Sequence, residues 1–435
     1  MRIALFVLPW LLLSACAAPQ EATVVVSGTA EPVHELQFAV ATQTPLPTPT
    51  PTPSPTALPE QTPTTVTIGA VGDITVDSRL LNIFHDEETG TYCFQPAYQG
   101  MQAIFDGVDL MCSNLETPIA GEAAGYTGNA QTPNAFEPGA SQASYAFNAP
   151  DALAYDLKAV GFDFVSTANN HFGDRCFDGV MRTLDVLDQA ELLHAGTYRS
   201  EEERAAPCVV EINGIQLGLL AASAVFNPLY DIKLRQTPYL IGNLNDTERI
   251  ENDVRLCREA GAEFIVMFAH WDEEYASEPS RTTRRRAEWL LSIGVDAIIG
   301  SHPHVVQRFD YLQVDRDGTP YTGFVAYSLG NSLLRMTDGM RYAELFVRLT
   351  IEKDADGVVS LKEAAYLPVF SVTYSDAEQE YYEILPAYED ATRIPAAVPG
   401  NDKIASFAAS VRKHVLNVCG TETVPVLPDP ELPAS

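Results

Sequence analysis

Basic side chains are scarce in this chain. Its 435 residues include 27 Lys and Arg against 58 Asp and Glu, for a formal net charge of -31. Such a chain repels nucleic-acid phosphates and anionic lipid heads, which argues against a DNA or RNA partner. An acidic polymer could bind only through a local basic patch. Cysteine is sparse too, and no Cys-x-x-Cys spacing occurs among the seven, so a zinc ribbon is not supported. There is no long internal repeat. The apolar run Ile3 to Leu13 is too short to span a bilayer comfortably. What remains is a chain of 46% hydrophobic residues, ample for a substantial core in one large or two medium domains.

The N-terminus reads as an export signal, with Arg2 as a short positive region ahead of the apolar run. It ends Leu13-Ser14-Ala15-Cys16, which resembles a bacterial lipoprotein cleavage box. That resemblance implies removal of residues 1–15 and a diacylglyceryl anchor on Cys16, giving an extracytoplasmic, membrane-anchored lipoprotein at the bacterial cell surface. Residues 16–65 then form a disordered Pro/Thr-rich tether, extended at about 3.1 Å per residue, that holds a globular domain off the membrane. Of the other cysteines, Cys112 and Cys257 sit in apolar settings and read as buried small hydrophobes. Cys93 and Cys176 lie in polar, loop-like segments and form the candidate disulfide.

From Val66 onward, short apolar runs recur: Val66–Val71, Val108–Cys112, Phe162–Thr167, Ile215–Ala222, Phe264–Ala269, Val295–Ile299 and Gly323–Tyr327. They are partly β-branched and bounded by Gly, Asn or Asp, as buried strands are. Helical faces alternate with them. Leu153, Leu157 and Val160 share one face, as do Met181, Leu184 and Leu187, and Ile250, Val254 and Cys257. A further helix near Arg281–Ile293 presents Ala287, Leu290 and Leu291. Alternation over this length predicts α/β. The main domain is placed at 66–375. A C-terminal extension, 376–435, contains a short helix over Asp402–Val415 and a loose Pro-rich end, Val424–Ser435, while residues 360–390 add antiparallel strands or an edge.

A polar cluster follows each of six apolar runs: Gly72-Asp73, Asn114-Leu115-Glu116, Asn169-Asn170-His171, His270-Trp271, Ser301-His302-Pro303-His304 and Gly330-Asn331. Ligands gather outside the carboxyl ends of strands in open α/β folds, so the clusters are expected to converge on one site. Each residue also has an ordinary reading as a cap, turn or core residue. Taken together, Asp73, Glu116, Asn170, His270, His302 and His304 mix oxygen and nitrogen donors. That set suits one or two divalent ions, Zn, Mn or Fe ahead of Mg. His302 and His304, two apart, would share a face on a strand, whereas a turn at Pro303 would splay them.

The ordered segments Val71-Gly72-Asp73, Ser113-Asn114-Leu115-Glu116-Thr117-Pro118, Ala168-Asn169-Asn170-His171, His194-Ala195-Gly196, His270-Trp271-Asp272-Glu273-Glu274-Tyr275, Ile299-Gly300-Ser301-His302-Pro303-His304 and Tyr327-Ser328-Leu329-Gly330-Asn331 resemble the CapA capsule-synthesis family, which includes poly-γ-glutamate biosynthesis proteins. The resemblance covers about residues 66–335. It implies a calcineurin-like metallophosphatase fold, a four-layer αββα sandwich. It also implies roles: Asp73 and His304 on a first metal, Glu116 bridging, Asn170, His270 and His302 on a second, and His171 as general acid. Asn114, Asn169, Trp271 and Asn331 are carried as substrate-binding. Arg281 and Arg285 join them because Arg281, Arg284, Arg285 and Arg286 form a rare positive patch that could grip a polyglutamate, phosphate or anionic sugar. The ordinary reading of that patch is a solvated helix face.

Three departures from the superfamily pattern stand out. Thr75 occupies the place of the first histidine, Glu116 replaces an aspartate, and Ser301 replaces a glycine. One metal site is therefore expected to be weaker. The leading expectation is a surface-anchored protein of capsule or poly-γ-glutamate synthesis, with a metal-assisted hydrolase or transferase site for an anionic polymer or phosphorylated substrate. The alternatives are a non-catalytic accessory subunit of a membrane polymer synthase or exporter, and a secreted nucleotidase-type metallophosphoesterase.

Overall fold

The computed structural model describes residues 62–126, 147–227, 236–336, 339–375, 379–390, 393–394 and 402–429. The expected signal peptide, Cys16 and nearly all of the expected Pro/Thr tether lie outside these residues. Sixteen strands are described: β1 (Thr64–Ile74), β2 (His85–Asp86), β3 (Thr91–Tyr92), β4 (Leu110–Leu115), β5 (Phe164–Ser166), β6 (Leu193–Ala195), β7 (Cys208–Ile212), β8 (Ile215–Ser223), β9 (Phe264–His270), β10 (Ala297–Ser301), β11 (Phe309–Arg316), β12 (Thr319–Ala326), β13 (Asn331–Leu333), β14 (Ala343–Lys353), β15 (Val359–Ser375) and β16 (Glu380–Pro386). Each of the seven apolar runs contributes to a strand.

Two large sheets result. The first runs β16-β15-β14-β1-β4-β5-β6, with β13 beside the end of β1. Its β1, β4, β5 and β6 are mutually parallel, and β14 to β16 extend it antiparallel. The second runs β11-β12-β10-β9-β8-β7, with β12, β10, β9 and β8 parallel.

Side chains alternate across each strand, and this divides the core into three seams. Ile68 and Ala70 of β1 and Cys112 of β4 face Leu219 of β8, Val266 and Phe268 of β9, and Ile299 of β10 between the sheets. Val71, Met111 and Val165 face outward from the first sheet, onto Leu153 and Leu157 of helix Ala152–Ala159 and Leu187 of helix Cys176–Gln189. On the outer face of the second sheet, Ile265, Met267 and Ile298 pack on Val254 and Cys257 of helix Thr247–Glu259 and on Ala287 and Leu290 of helix Arg281–Ser292. This is helix, sheet, sheet, helix: the expected four-layer α/β sandwich.

The extension beyond residue 375 is part of the same architecture. β16 edges the first sheet, and helix Asp402–Cys419 places Ala408, Val411 and Val415 in the central seam. As far as Asp429, the last described residue, the Pro-rich end is tighter than expected. Val424 is fully buried, the Tyr366 N–H donates to the Pro425 carbonyl at 3.0 Å, and the Leu427 N–H donates to the Tyr366 carbonyl at 2.7 Å. Residues 425–427 find these partners because β16 pairs only from Val369 onward, leaving that edge of β15 open at Tyr366.

The Cys93–Cys176 disulfide does not form. Cys93 is a free, exposed thiol. Cys112 and Cys257 are buried, as their apolar settings implied. Among the described residues no helix is long and apolar enough to cross a membrane.

Two glycines set the strand ends that matter for the site. A Cβ on Gly72 would lie 2.1 Å from the Gly330 carbonyl oxygen, and one on Gly300 would lie 2.0 Å from that of Tyr327. Both are backbone contacts, so neither can yield by rotating a side chain. Gly300→Ala is expected to lower the unfolding free energy by about 1–3 kcal/mol, the usual range for overpacking. The denaturant midpoint measures this, and an unchanged midpoint would contradict the close approach.

Candidate metal centre

The six polar clusters meet at the carboxyl ends of the parallel strands of both sheets. Asp73 is the penultimate residue of β1, and Glu116 follows β4 directly. Asn169 to His171 follow β5, His270 ends β9, and His302 to His304 follow β10. Register brings them level: Asp73 pairs with Asn114 and Asn331 across its two neighbours, and His270 pairs with Ser301. Asp73 and His270 belong to the strands themselves, and Glu116, Asn170, His302 and His304 to the segments that follow them.

β10 ends before the histidines, so they do not share a strand face. His302 has φ 95° and His304 φ 55°, flanking Pro303, both in the left-handed region that such residues rarely occupy. The turn splays the two rings, whose centroids are 5.9 Å apart. The strained turn aims two imidazoles differently from positions two apart.

The side chains divide into two groups that share one carboxylate. Glu116, His270 and His302 form the first, and Asp73, Glu116 and His304 the second. Within each group the potential ligand atoms lie within 4.8 Å of one another, and every member is buried. His270 Nε2 lies 3.4 Å from Glu116 Oε1, and His304 Nε2 lies 3.8 Å from Glu116 Oε2. Asn170 Oδ1 adds an amide oxygen 2.9 Å from His270 Nε2.

Neighbouring polar groups orient these donors. Asn114 Nδ2 donates to Asp73 Oδ1 at 2.8 Å, and the His302 N–H donates to Asp73 Oδ2 at 3.1 Å. His304 Nδ1 meets Asn331 Oδ1 at 2.8 Å, which directs its proton there and leaves Nε2 for the cluster. Ser301 Oγ lies 2.9 Å from His270 Nδ1 and, as a hydroxyl, can serve either tautomer. Asn169 Nδ2 donates to the Leu115 carbonyl at 2.8 Å, and its Oδ1 accepts from the His171 N–H at 3.1 Å.

Electrostatics argue that a cation belongs here. Burial raises the Asp73 carboxyl above its ordinary range. It raises Glu116 well above, with Asp73 adding repulsion. Burial likewise pulls His270 far below its usual value and His302 down to about 3, with neighbouring imidazoles contributing. The centre by itself therefore resists charge of either sign. A divalent ion reverses the balance for the carboxylates, and it needs the imidazoles neutral. Two buried atoms also lack a hydrogen-bond partner, Glu116 Oε1 and His302 Nδ1, and both belong to the same group of three. Buried polar atoms are rarely left so, and a missing ion explains both. The residues fit a divalent metal.

His171 borders the centre. Its Nδ1 is 2.8 Å from Asp174 Oδ2, which also accepts from the Phe147 N–H at 2.7 Å. Its ring packs edge-on against Phe147, with centroids 4.6 Å apart. Asp174 was not singled out from sequence. The spacing His171-x-x-Asp174 was the available signal.

Other expected roles change. Asn114, Asn169 and Asn331 are buried and spend their amides on ligands and backbone, so they position the centre rather than meet a substrate. Trp271 is fully buried in the outer core of the second sheet, with its indole N–H donating to the Tyr327 carbonyl at 2.9 Å, and it is no cleft residue. Arg281 and Arg285 are exposed on the outer helix Arg281–Ser292. Thr75 points its hydroxyl at Glu116 Oε2 at 3.3 Å.

A two-sheet α/β fold with a mixed imidazole and carboxylate cluster at its parallel strand ends defines an α/β protein with a candidate divalent-metal centre. The chain belongs to the bacterial capsule synthesis protein family PGA_cap, whose family model matches residues 67–335. It is 27% identical over 175 residues to the capsule biosynthesis protein CapA of Bacillus anthracis, covering 40% of this chain and 41% of that protein. It is 25% identical over 236 residues to the PGA biosynthesis protein CapA of Bacillus subtilis (strain 168), covering 54% and 55%. The chain thus spans about half the length of these relatives. Similar solved structures include a calcineurin-like phosphoesterase from Bacillus subtilis, at TM-score 0.40 and 13% identity over 82% of this chain and 98% of that one. Another is the NAD nucleotidase of Haemophilus influenzae, at TM-score 0.42 and 11% identity over 85% and 65%.

Metal affinity is expected to rise with pH. Asp73 and Glu116 hold protons above the ordinary carboxylate range, so an entering ion must displace them. His270 and His302 are already neutral and release nothing. Titration of the metal-free protein with Mn²⁺ or Zn²⁺ between about pH 6 and about pH 8, in buffers of different ionisation enthalpy, is expected to show proton release and tighter binding at the higher pH. Affinity independent of pH would contradict this account of the carboxyl groups.

Proposed function

We propose that this chain is a surface-anchored capsule-synthesis protein that acts on an anionic capsule polymer of the poly-γ-glutamate kind, by metal-assisted hydrolysis or transfer at a phosphoryl or amide centre. The observation that carries it is the pair of buried ligand groups sharing Glu116, with two orphaned donor atoms. Asp73, Glu116 and His304 would hold one ion, and Glu116, Asn170, His270 and His302 a second. Zn, Mn or Fe suits these donors better than Mg. Such ions supply Lewis acidity and activate water at neutral pH.

The chain's own residues supply the rest. Asp174 accepts the Nδ1 proton of His171 and fixes its ring, so Nε2 is the atom that can carry a proton to a leaving group. Asn169 holds the same turn through the His171 N–H. Burial of the cluster keeps bulk water away and strengthens every charge interaction within it. The net charge of -31 supports a substrate other than nucleic acid. The lipoprotein-like Cys16 and the Pro/Thr spacer support an extracytoplasmic position, tethered to the membrane beside polymer-synthase subunits.

A second reading has its own support. Thr75 gives Glu116 a hydroxyl where the superfamily pattern carries a histidine, which favours a metal-holding but non-catalytic accessory subunit.

The test uses the purified full-length protein, its metal content and its turnover of poly-γ-glutamate and simple phosphoesters. His302→Ala combined with His304→Ala is expected to lose bound metal and activity together. His171→Gln is expected to keep metal and lose about 10²–10⁴-fold in rate, the usual contribution of a proton donor. Stoichiometric metal without turnover favours the accessory subunit. Activity retained in His302→Ala with unchanged metal removes these residues from the mechanism.

A further inference from the structure

The segment that follows β8 is tied to the candidate centre by contacts that neither group of ligands uses. β8 ends at Ser223, which pairs with His270 in the second sheet. The Ala224 N–H donates to the His270 carbonyl at 2.8 Å. The Ser223 hydroxyl donates to the Val225 carbonyl at 2.6 Å and accepts from the Val225 N–H at 3.1 Å. These bonds hold the chain against the end of β9. Two residues further on, Asn227 reaches the first sheet's side of the centre. Its Nδ2 donates to the main-chain carbonyl of Asn170 at 3.0 Å. The two residues are 57 positions apart, so no local turn makes this contact.

Asn170 has particular need of it. Among the six candidate ligands it alone offers an amide, and it is buried in the segment after β5, which ends at Ser166. Its Oδ1 meets His270 Nε2 at 2.9 Å. An amide oxygen carries no net charge that would draw it to a cation, so its placement has to come from the protein. Two side-chain torsions separate that oxygen from the backbone, and the setting of the main chain therefore decides where it points. No strand ladder supplies that setting here. Side chains do. The Asn170 carbonyl and the His171 N–H belong to one peptide unit. The carbonyl accepts from Asn227, and the N–H donates to Asn169 Oδ1 at 3.1 Å. A buried peptide gripped at both polar groups cannot turn without leaving a donor and an acceptor unpaired. The same peptide leads into His171, so one grip orients both residues.

We infer that Asn227 is a positioning residue of the metal centre: from beyond β8 it grips the Asn170–His171 peptide and sets the amide ligand of one ion. This rests on the reading that the cluster holds divalent ions. An asparagine suits the task because its amide donates without adding charge beside two buried carboxylates. Groups that hold a ligand in place commonly govern metal affinity nearly as strongly as the ligand itself.

The experiment titrates metal-free full-length protein with Mn²⁺ by calorimetry. Wild type is compared with Asn227→Leu, which keeps the shape and removes the amide, and with Asn227→Gln, which keeps an amide one methylene further out. His304→Ala alters the ligand group that lacks Asn170, and so identifies which binding step belongs to which ion. Asn227→Leu is expected to weaken the step that includes Asn170 about 10–100-fold, the usual effect of removing a group that holds a ligand. The other step should not move, and Asn227→Gln should recover part of the loss. A general loss of stability would not select one step over the other. A single ion in wild type, weakened by Asn227→Leu and partly restored by Asn227→Gln, supports the inference at a one-ion centre. Equal affinities of wild type and Asn227→Leu overturn the inference and leave the metal centre standing. Equal weakening of both steps makes the asparagine structural and overturns it too. Absence of binding by wild type removes the metal reading and the inference together.

Discussion

Two carboxylates buried side by side dominate this structure. Asp73 and Glu116 are fully enclosed, and the partners that reach them are imidazoles, an asparagine amide, serine and threonine hydroxyls and a backbone N–H. Burying an unpaired carboxylate is unfavourable by several kcal/mol even after relaxation. Placing a second one beside it adds repulsion. The arrangement is stable as a charged pair only with a cation between the groups, and otherwise as protonated acids. The converging strand ends, the strained histidine turn and the buried asparagines all serve to hold the donors for such an ion.

The framework gains its accuracy from strands rather than loops. Asp73, His270 and Asn331 lie in strands, with the register shifting at Asp73, and Glu116 and His302 lie one residue beyond them. Ladder pairing holds Asp73, His270 and Asn331, and the Glu116 N–H donates to the Ile74 carbonyl at 2.9 Å, whereas His302 sits in the turn with its N–H on Asp73 Oδ2. Gly72 and Gly300 then let neighbouring backbones close to a distance that no Cβ would allow. Where two ligands come from positions two apart, the chain uses left-handed backbone, at His302 and His304. Ser301 ends β10, and its hydroxyl lies 2.9 Å from His270 Nδ1.

Much of the fold was legible because both periodicities were clean. Buried strands read as short apolar runs, and the helices over them repeat apolar residues on one face, so the alternation of the two marked the α/β class. The C-terminal segment was harder. The partners of residues 424–427 lie on β15, about sixty residues earlier, so local composition suggested looseness where tertiary contact supplies order. The Cys93–Cys176 pairing failed for the same reason, since polar settings say nothing about distance. Trp271 was ambiguous for a further reason. An aromatic residue directly after a ligand faces either the site or the core, and the alternation of a strand end sends this one to the core.

By itself the sequence determined which residue types stand at the ends of which strands: carboxylate, amide and imidazole after six apolar runs. It determined the charge balance and the family resemblance as well, because these depend on identity and order alone. Tertiary structure decided how the donors are divided. Glu116 became the shared carboxylate because β4 lies next to β1 in one sheet while His270 and His302 approach from the other, a relation with no counterpart in linear spacing. It also decided that Asn114, Asn169 and Asn331 support the centre instead of lining a cleft, and that Asn227, beyond β8, reaches Asn170, beyond β5. Burial and cross-sheet distance set those roles, and both arise only when the two sheets close on one another.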